Sequence, residues 1–156
     1  MAQNHDENYS TYYRTQNVIK VYPTEFVIRS FLGVYPRLKT DRSELVGKRI
    51  LDLGFGDGRN MPLLADLGLT IHGVEVTSEI CAHIAVRMAT MGVMVEARAG
   101  RNSQIPYEEG YFDHVLACNS CYYIDAGQRF SDNLAEIARV MKPGGLFVDS
   151  LPMGST

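Results

Sequence analysis

The spacing of apolar and polar positions changes period near residue 49. Before it, Phe26, Val27 and Phe31 recur at helical spacing, and Ile19 falls on the same stripe. Pro23 suits a first helical turn and Gly33 ends the run, so a helix is expected between them. A polar, tyrosine-rich lead-in over 1–17 precedes it, and 36–48 reads as a connector. After residue 49, short apolar runs that end in turn residues alternate with helical stretches. The runs predict strands at 49–53, 70–76, 93–97, 112–118 and 146–150. The helical stretches are 60–67, 78–91 and 129–141. Thr77 or Ser78 caps the second of these, and Gly92 follows its end. Lys142-Pro143-Gly144-Gly145 stops the third.

Strands alternating with helices imply βαβ units and a mostly parallel sheet. Right-handed crossovers then place helices on both faces. Ligands bind such sheets beyond the C-terminal strand ends, where the winding direction reverses. The chemistry is therefore expected just after Leu53, Val76, Ala97 and Cys118.

Composition narrows the classes. A chain of 156 residues can bury one core, and 46% hydrophobic with 21% charged residues is ordinary for a globular protein. No run of about 18 apolar residues exists, which argues against a membrane partner. The N-terminus has no apolar signal core, so a cytoplasmic location is expected. The net charge of −3 argues against nucleic acid. Residues 1–49 carry 8 Lys/Arg against 5 Asp/Glu, but these bases form no run and read as ordinary surface charge. Cys81, Cys118 and Cys121 are expected as reduced thiols. Cys118 and Cys121 have no second pair or nearby histidine, so no metal is expected.

The richest segment is Asp52-Leu53-Gly54-Phe55-Gly56-Asp57-Gly58-Arg59-Asn60. Alternate glycines let a ligand approach the backbone, and the loop opens into a helix N-terminus. It is a poor dinucleotide fingerprint, because Arg59 sits where a final small residue belongs. Glu75, at the end of the second predicted strand, can accept from both hydroxyls of a ribose. Together the two features favour a nucleoside ligand.

Three segments carry a family resemblance. Residues 50–60 are similar to the first motif of class I S-adenosylmethionine-dependent methyltransferases. Ile105 to Val115 resembles the segment leading into their fourth strand. Glu136 to Gly145 resembles their E-x-x-R-V-L-K-P-G-G turn before the fifth strand. The resemblance covers 46–150 and implies an α/β fold: a Rossmann-like three-layer α/β/α sandwich with strand order 3-2-1-4-5. It implies an S-adenosylmethionine-binding core at 46–156, behind an N-terminal helical or lid segment at 1–45. Asp52, Gly54, Phe55, Gly56 and Gly58 would border the methionine part of the cofactor. Glu75 would hold the ribose and Val76 would line the adenine. Cys118 and Asn119 would approach the sulfonium.

Two departures follow. The acidic residue that such proteins often carry after the third strand is replaced in Ala99-Gly100-Arg101-Asn102-Ser103, where backbone carbonyls or Asn102 could stand in. The antiparallel hairpin that normally ends the fold has no residues left to build it. The chain is therefore expected to be a fragment, or to have the edge of its fifth strand covered by self-association.

The expected reaction is methyl transfer to a small-molecule acceptor by in-line substitution. Tyr122 and Tyr123 could orient an acceptor or simply pack. Asp125 could be a base or could start a helix. His114, inside a strand, reads as structural. His5, Tyr9, Tyr12 and Tyr13 suit a lid as well as a flexible tail. The rival readings are a non-catalytic module that binds the same cofactor and an NAD-dependent oxidoreductase.

Overall fold

The computed structural model describes residues 2–15, 21–33, 35, 37–38 and 40–152. Five strands form one sheet: β1 (Arg49–Leu53), β2 (Thr70–Glu75), β3 (Val95–Ala99), β4 (Phe112–Cys118) and β5 (Met141–Ser150). Their order is β3-β2-β1-β4-β5, and every neighbouring pair is parallel. β1 takes the centre because both of its faces are apolar: Ile50, Leu51 and Leu53 are at most 1% exposed. Ile50 sits beside Ile71 of β2 and His114 of β4, which fixes the register on both sides.

Helices cover both faces. On one, α2 (Glu25–Phe31), α3 (Met61–Asp66) and α4 (Ser78–Thr90) bring Phe31, Leu64, Ile84 and Met88 onto Ile50, Ile71 and Leu116. On the other, α5 (Phe130–Val140) and residues 105–112 bring Ile137, Val140, Ile105 and Tyr107 onto Leu51, Val74 and Val115. Burying each such aliphatic side chain contributes roughly 1.5–3 kcal/mol. The result is the Rossmann-like three-layer sandwich in the expected strand order.

Three local readings need correction. Pro23 lies outside α2, whose N-cap is Thr24 in an extended conformation. The third strand begins two residues later than expected. Val93 is buried and its N–H donates to Met88 O at 3.0 Å, so it belongs to the turn that closes α4. β5 begins at Met141, five residues early. Met141 pairs with Phe112, the register then shifts, and regular pairing resumes at His114 and Leu146. Lys142 to Gly145 thus form a bulge inside the strand, with Gly144 at φ +80. The polar lead-in holds a helix, α1 (Ala2–Thr15), packed on α4. The expected contribution of Ile19 and the start of the connector at Pro36 lie outside the described residues. Thr77 is the cap of α4, accepting from Ile80 N at 3.3 Å.

One staple gives the E-x-x-R segment a physical reason. Arg139 donates to Tyr107 O at 2.8 Å, to Ile105 O at 2.9 Å and to Glu136 Oε1 at 2.7 Å. Glu136 accepts from Ile105 N at 2.9 Å. The pair ties the β3–β4 connection to α5 and so supports the loops above it. Replacing Arg139 by Ala is expected to cost roughly 1.5–3 kcal/mol, the range for hydrogen bonds that involve a charged group. The measurement is the urea midpoint at unchanged slope. A loss under about 0.5 kcal/mol would remove the staple from the account.

Candidate functional site

The chain winds outward from β1 through β2 to β3, then crosses to β4 on the other side of β1. The winding direction reverses between β1 and β4, and beyond the C-terminal strand ends at such a reversal an open sheet offers a crevice. Two adjoining cavities occupy it, of about 290 and about 370 Å³, and Tyr9, Gly54, Asn119 and Tyr123 line both.

The first cavity takes Glu75, Val76, Asn102 and Asp125. The second takes Asp52, Phe55, Gly56, Cys118 and Tyr122. Nearly every residue singled out from sequence therefore falls on one groove. Gly58 does not. It stands at φ +70, and a Cβ there would lie 3.0 Å from Ile84 Cγ2 and 3.2 Å from Met88 Cε. Its small size serves the packing of the loop on α4 instead.

Gly54 is required twice over. Its φ is +66, and a Cβ would run into Ser120 Cβ. Ser120 in turn donates its hydroxyl to Leu53 O, closing the tips of β1 and β4 on each other. Asn119 holds a left-handed conformation, φ +54, and is braced by Ser150 through hydrogen bonds of 2.9 Å to its N–H and its Oδ1. Two side-chain amides hold the following loop by its backbone. Asn102 donates to Ser120 O at 2.8 Å and Tyr123 O at 3.1 Å. Asn133, fully buried on α5, donates to Cys121 O and Tyr123 O, each at 2.9 Å.

The electrostatics centre on two buried carboxylates. Asp52 is 1% exposed, and its Oδ2 has no hydrogen-bond partner among the described residues. Burial, then the nearby Glu75 and Asp57, push its carboxyl up to about 7. Glu75, 5% exposed, is raised to about 7 chiefly by burial, against the backbone N–H groups of Val76, 3.2 Å from its Oε2, and of Gly56, which donate to it. Asp57, by contrast, is held by Arg59, with contacts of 3.0 and 2.6 Å.

The catalytic candidates fare differently. Tyr122 and Tyr123 stack at 4.7 Å between ring centroids, and Tyr9 meets Tyr123 edge-on at 6.5 Å. The hydrogen bond with Tyr123 and partial burial push the Tyr122 hydroxyl up to about 12, so it stays protonated. Asp125 does not start a helix. α5 begins at Phe130, and Asp125 is paired with Arg101 at 2.8 Å while accepting from Ser103 Oγ at 3.1 Å. His114 is structural: its Nδ1 accepts from Leu146 N at 3.2 Å. Cys118 Sγ donates to Thr24 Oγ1 at 3.6 Å, and all three cysteines are free thiols. Tyr9 and Tyr12 line the groove from α1, while the side chains of His5 and Tyr13 lie outside the described residues.

Sequence reasoning missed Asp6, Ser120 and Asn133. Ser120 and Asn133 matter only because β4 lies beside β1 and α5 lies under the loop, adjacencies that no local pattern announces.

A methyltransferase domain model matches residues 51–149. The chain belongs to that family. Membership implies S-adenosylmethionine as the cofactor. Among the relatives, a probable S-adenosylmethionine-dependent methyltransferase of Mycolicibacterium smegmatis is 27% identical over 76% of this chain and 42% of its own length. A ubiquinone biosynthesis O-methyltransferase of Maricaulis maris is 32% identical over 65% of this chain and 39% of its own. A crystal structure of a Pyrococcus horikoshii protein superposes with a TM-score of 0.64 at 21% identity, over 89% of this chain and 64% of that one. The chain thus spans less than half the length of these curated relatives.

The raised carboxyls give a stability signature. A folded-state value of about 7 means that the native chain keeps protons which the unfolded chain releases near 4. The stability this contributes is complete below about pH 4 and is lost as pH rises towards about 7. His72 and His114, both lowered by burial, act in the opposite sense below their ordinary value. A difference measurement isolates the carboxylate. The melting temperature of Asp52→Asn minus that of the native protein is expected to grow from pH 5 to pH 7.5. A constant or shrinking difference would mean that Asp52 is not held as an unpaired buried acid.

Proposed function

We propose that this chain transfers the methyl group of S-adenosylmethionine to a small-molecule acceptor by in-line substitution. The observation that carries the reading is Asp52 Oδ2, a buried acceptor with no partner, one strand away from Glu75 on the same groove. A buried carboxylate without a partner suits an ammonium group, and the cofactor carries one at its amino-acid end. A second carboxylate suits the two ribose hydroxyls.

Asp52 then holds the amino-acid end, where Gly54, Phe55 and Gly56 let it lie against the backbone. Glu75 binds the ribose, and Val76 packs on the base. Asn102 spends its amide hydrogens on the loop carbonyls, which leaves its oxygen to accept from the base. Cys118 and Asn119 border the reacting end. When bound, S-adenosylmethionine supplies a methyl group already activated on a sulfonium. The protein's remaining task is alignment, which in well-oriented cases is worth on the order of 7–11 kcal/mol. The rings of Tyr9, Tyr122 and Tyr123 wall the second cavity, displace water and orient the acceptor. With its hydroxyl raised to about 12, Tyr122 stays protonated and does not take the acceptor's proton. The net charge of −3 and the relative named for ubiquinone biosynthesis favour a small molecule over nucleic acid. Among the described residues no helix is long and apolar enough to cross a membrane. The free thiols favour the cytoplasm as the working compartment.

The test is a calorimetric titration with S-adenosylhomocysteine, with NAD as control. The native protein is expected to bind the former and not the latter. Glu75→Ala should weaken binding by roughly 1–3 kcal/mol through the lost ribose hydrogen bonds. Equal binding by that variant, or equal binding of NAD, would overturn the assignment.

A further inference from the structure

Arg101 stands where the family resemblance anticipates an acidic residue, and the structure gives it a different task. It lines the first cavity together with three carboxylates, those of Asp6, Glu75 and Asp125. It is the one cationic side chain among the described residues of that lining. Its Nη2 bonds Asp6 Oδ2, on the first turns of α1. Its Nη1 bonds Asp125 Oδ1 at 2.8 Å, in the loop between β4 and α5. One guanidinium therefore bridges the N-terminal helix and the loop between β4 and α5, both of which line the cavity.

The bridge is anchored at both ends. The backbone of Arg101 is fixed by reciprocal hydrogen bonds with Gln104, of 3.2 and 3.0 Å. Asp125 also accepts from Ser103 at 3.1 Å, so turn and loop grip each other twice. On α1, Ser10 donates to Glu79 Oε2 at 3.1 Å, which sets the helix against the start of α4. Tyr9 of the same helix stands edge-on to Tyr123. Without the guanidinium, three carboxylates would face one cavity, and Asp6 already raises the Glu75 carboxyl by its charge. Arginine is suited to this place because its fork can address two acids at once and keeps its charge.

We propose that Arg101 is a positioning residue for the cofactor: it clasps α1 to the loop after β4 across the adenosine half of the groove and slows release of the nucleoside. The proposal rests on the reading of the groove as the S-adenosylmethionine site. Arg101 acts through Asp6 and Asp125, whose pairing closes the cavity mouth. Its side chain is 40% exposed and those of Asp6 and Asp125 are 24% and 30% exposed, so the clasp is of moderate strength. It is also sensitive to salt.

The experiment compares native protein, Arg101→Gln, Arg101→Lys, Asp6→Asn and the Asp6→Asn/Arg101→Gln double variant. Two readouts are taken: hydrogen exchange of the α1 amides in the ligand-free protein, and the stopped-flow release rate of S-adenosylhomocysteine. Arg101→Gln is expected to speed both by about threefold to tenfold. Asp6→Asn should do most of the same, and the double variant should add little to Asp6→Asn, since both remove one interaction. Arg101→Lys should recover part of the effect. Added salt should speed release from the native protein but not from Arg101→Gln, a response that a packing role alone would not give. Unchanged α1 exchange and release in Arg101→Gln would overturn the clasp, while continued weakening by Glu75→Ala would leave the cofactor site standing. Failure of the native protein to bind S-adenosylhomocysteine at all would overturn both.

Discussion

The fold is organised around two acids that it keeps out of water. Asp52 and Glu75 lie at the ends of neighbouring parallel strands, and among the described residues neither has a cationic partner. A carboxylate placed there is unfavourable, and it persists only where the surrounding structure is firm enough to resist opening. That firmness comes from the centre of the sheet, where Ile50, Leu51 and Leu53 on β1 are packed from both faces. The close approach of Gly54 and Ser120, with the bond from Ser120 to Leu53 O, then ties the tips of β1 and β4 together beside the acids. The core, the glycine and the serine thus form a single device for holding charge in a poor environment, ready for a ligand that improves it.

Much of this was legible from the residues. β1, β2 and β4 are short, apolar on both faces and followed by turn residues, and α4 has a strong cap and a closing glycine. In each, local pattern and tertiary demand agree. The glycine loop and Glu75 were legible too, because parallel topology sends every strand end to one side. What escaped was set by neighbours far along the chain. β3 is an edge strand with one buried partner, so its start is decided by Val93 closing α4 and not by its own pattern. β5 starts early because Met141 can pair with Phe112 before the bulge. α1 has few apolar residues, and what keeps it on the body is ion pairing and ring contact. Asp125 was misread for the same reason. Its partner lies 24 positions back on another loop.

The two sides of the groove differ in kind. The wall built from the ends of β1 and β2 is made of acids and backbone in fixed positions, which suits one invariant ligand. The opposite wall is a loop of tyrosines and small residues, closed over by a helix. Under the proposed function, a division of this sort would let binding of the methyl donor and choice of the acceptor be set by different parts of the chain.

The way that loop is held has its own consequence. Asn102 and Asn133 reach only the carbonyls of Ser120, Cys121 and Tyr123. An amide that reads main-chain oxygen is blind to the side chain attached to it. These four contacts therefore hold the loop without using the side chains of Tyr122 and Tyr123. Changes at these two positions would re-cut the second cavity while the part of the groove built on β1 and β2 keeps its shape.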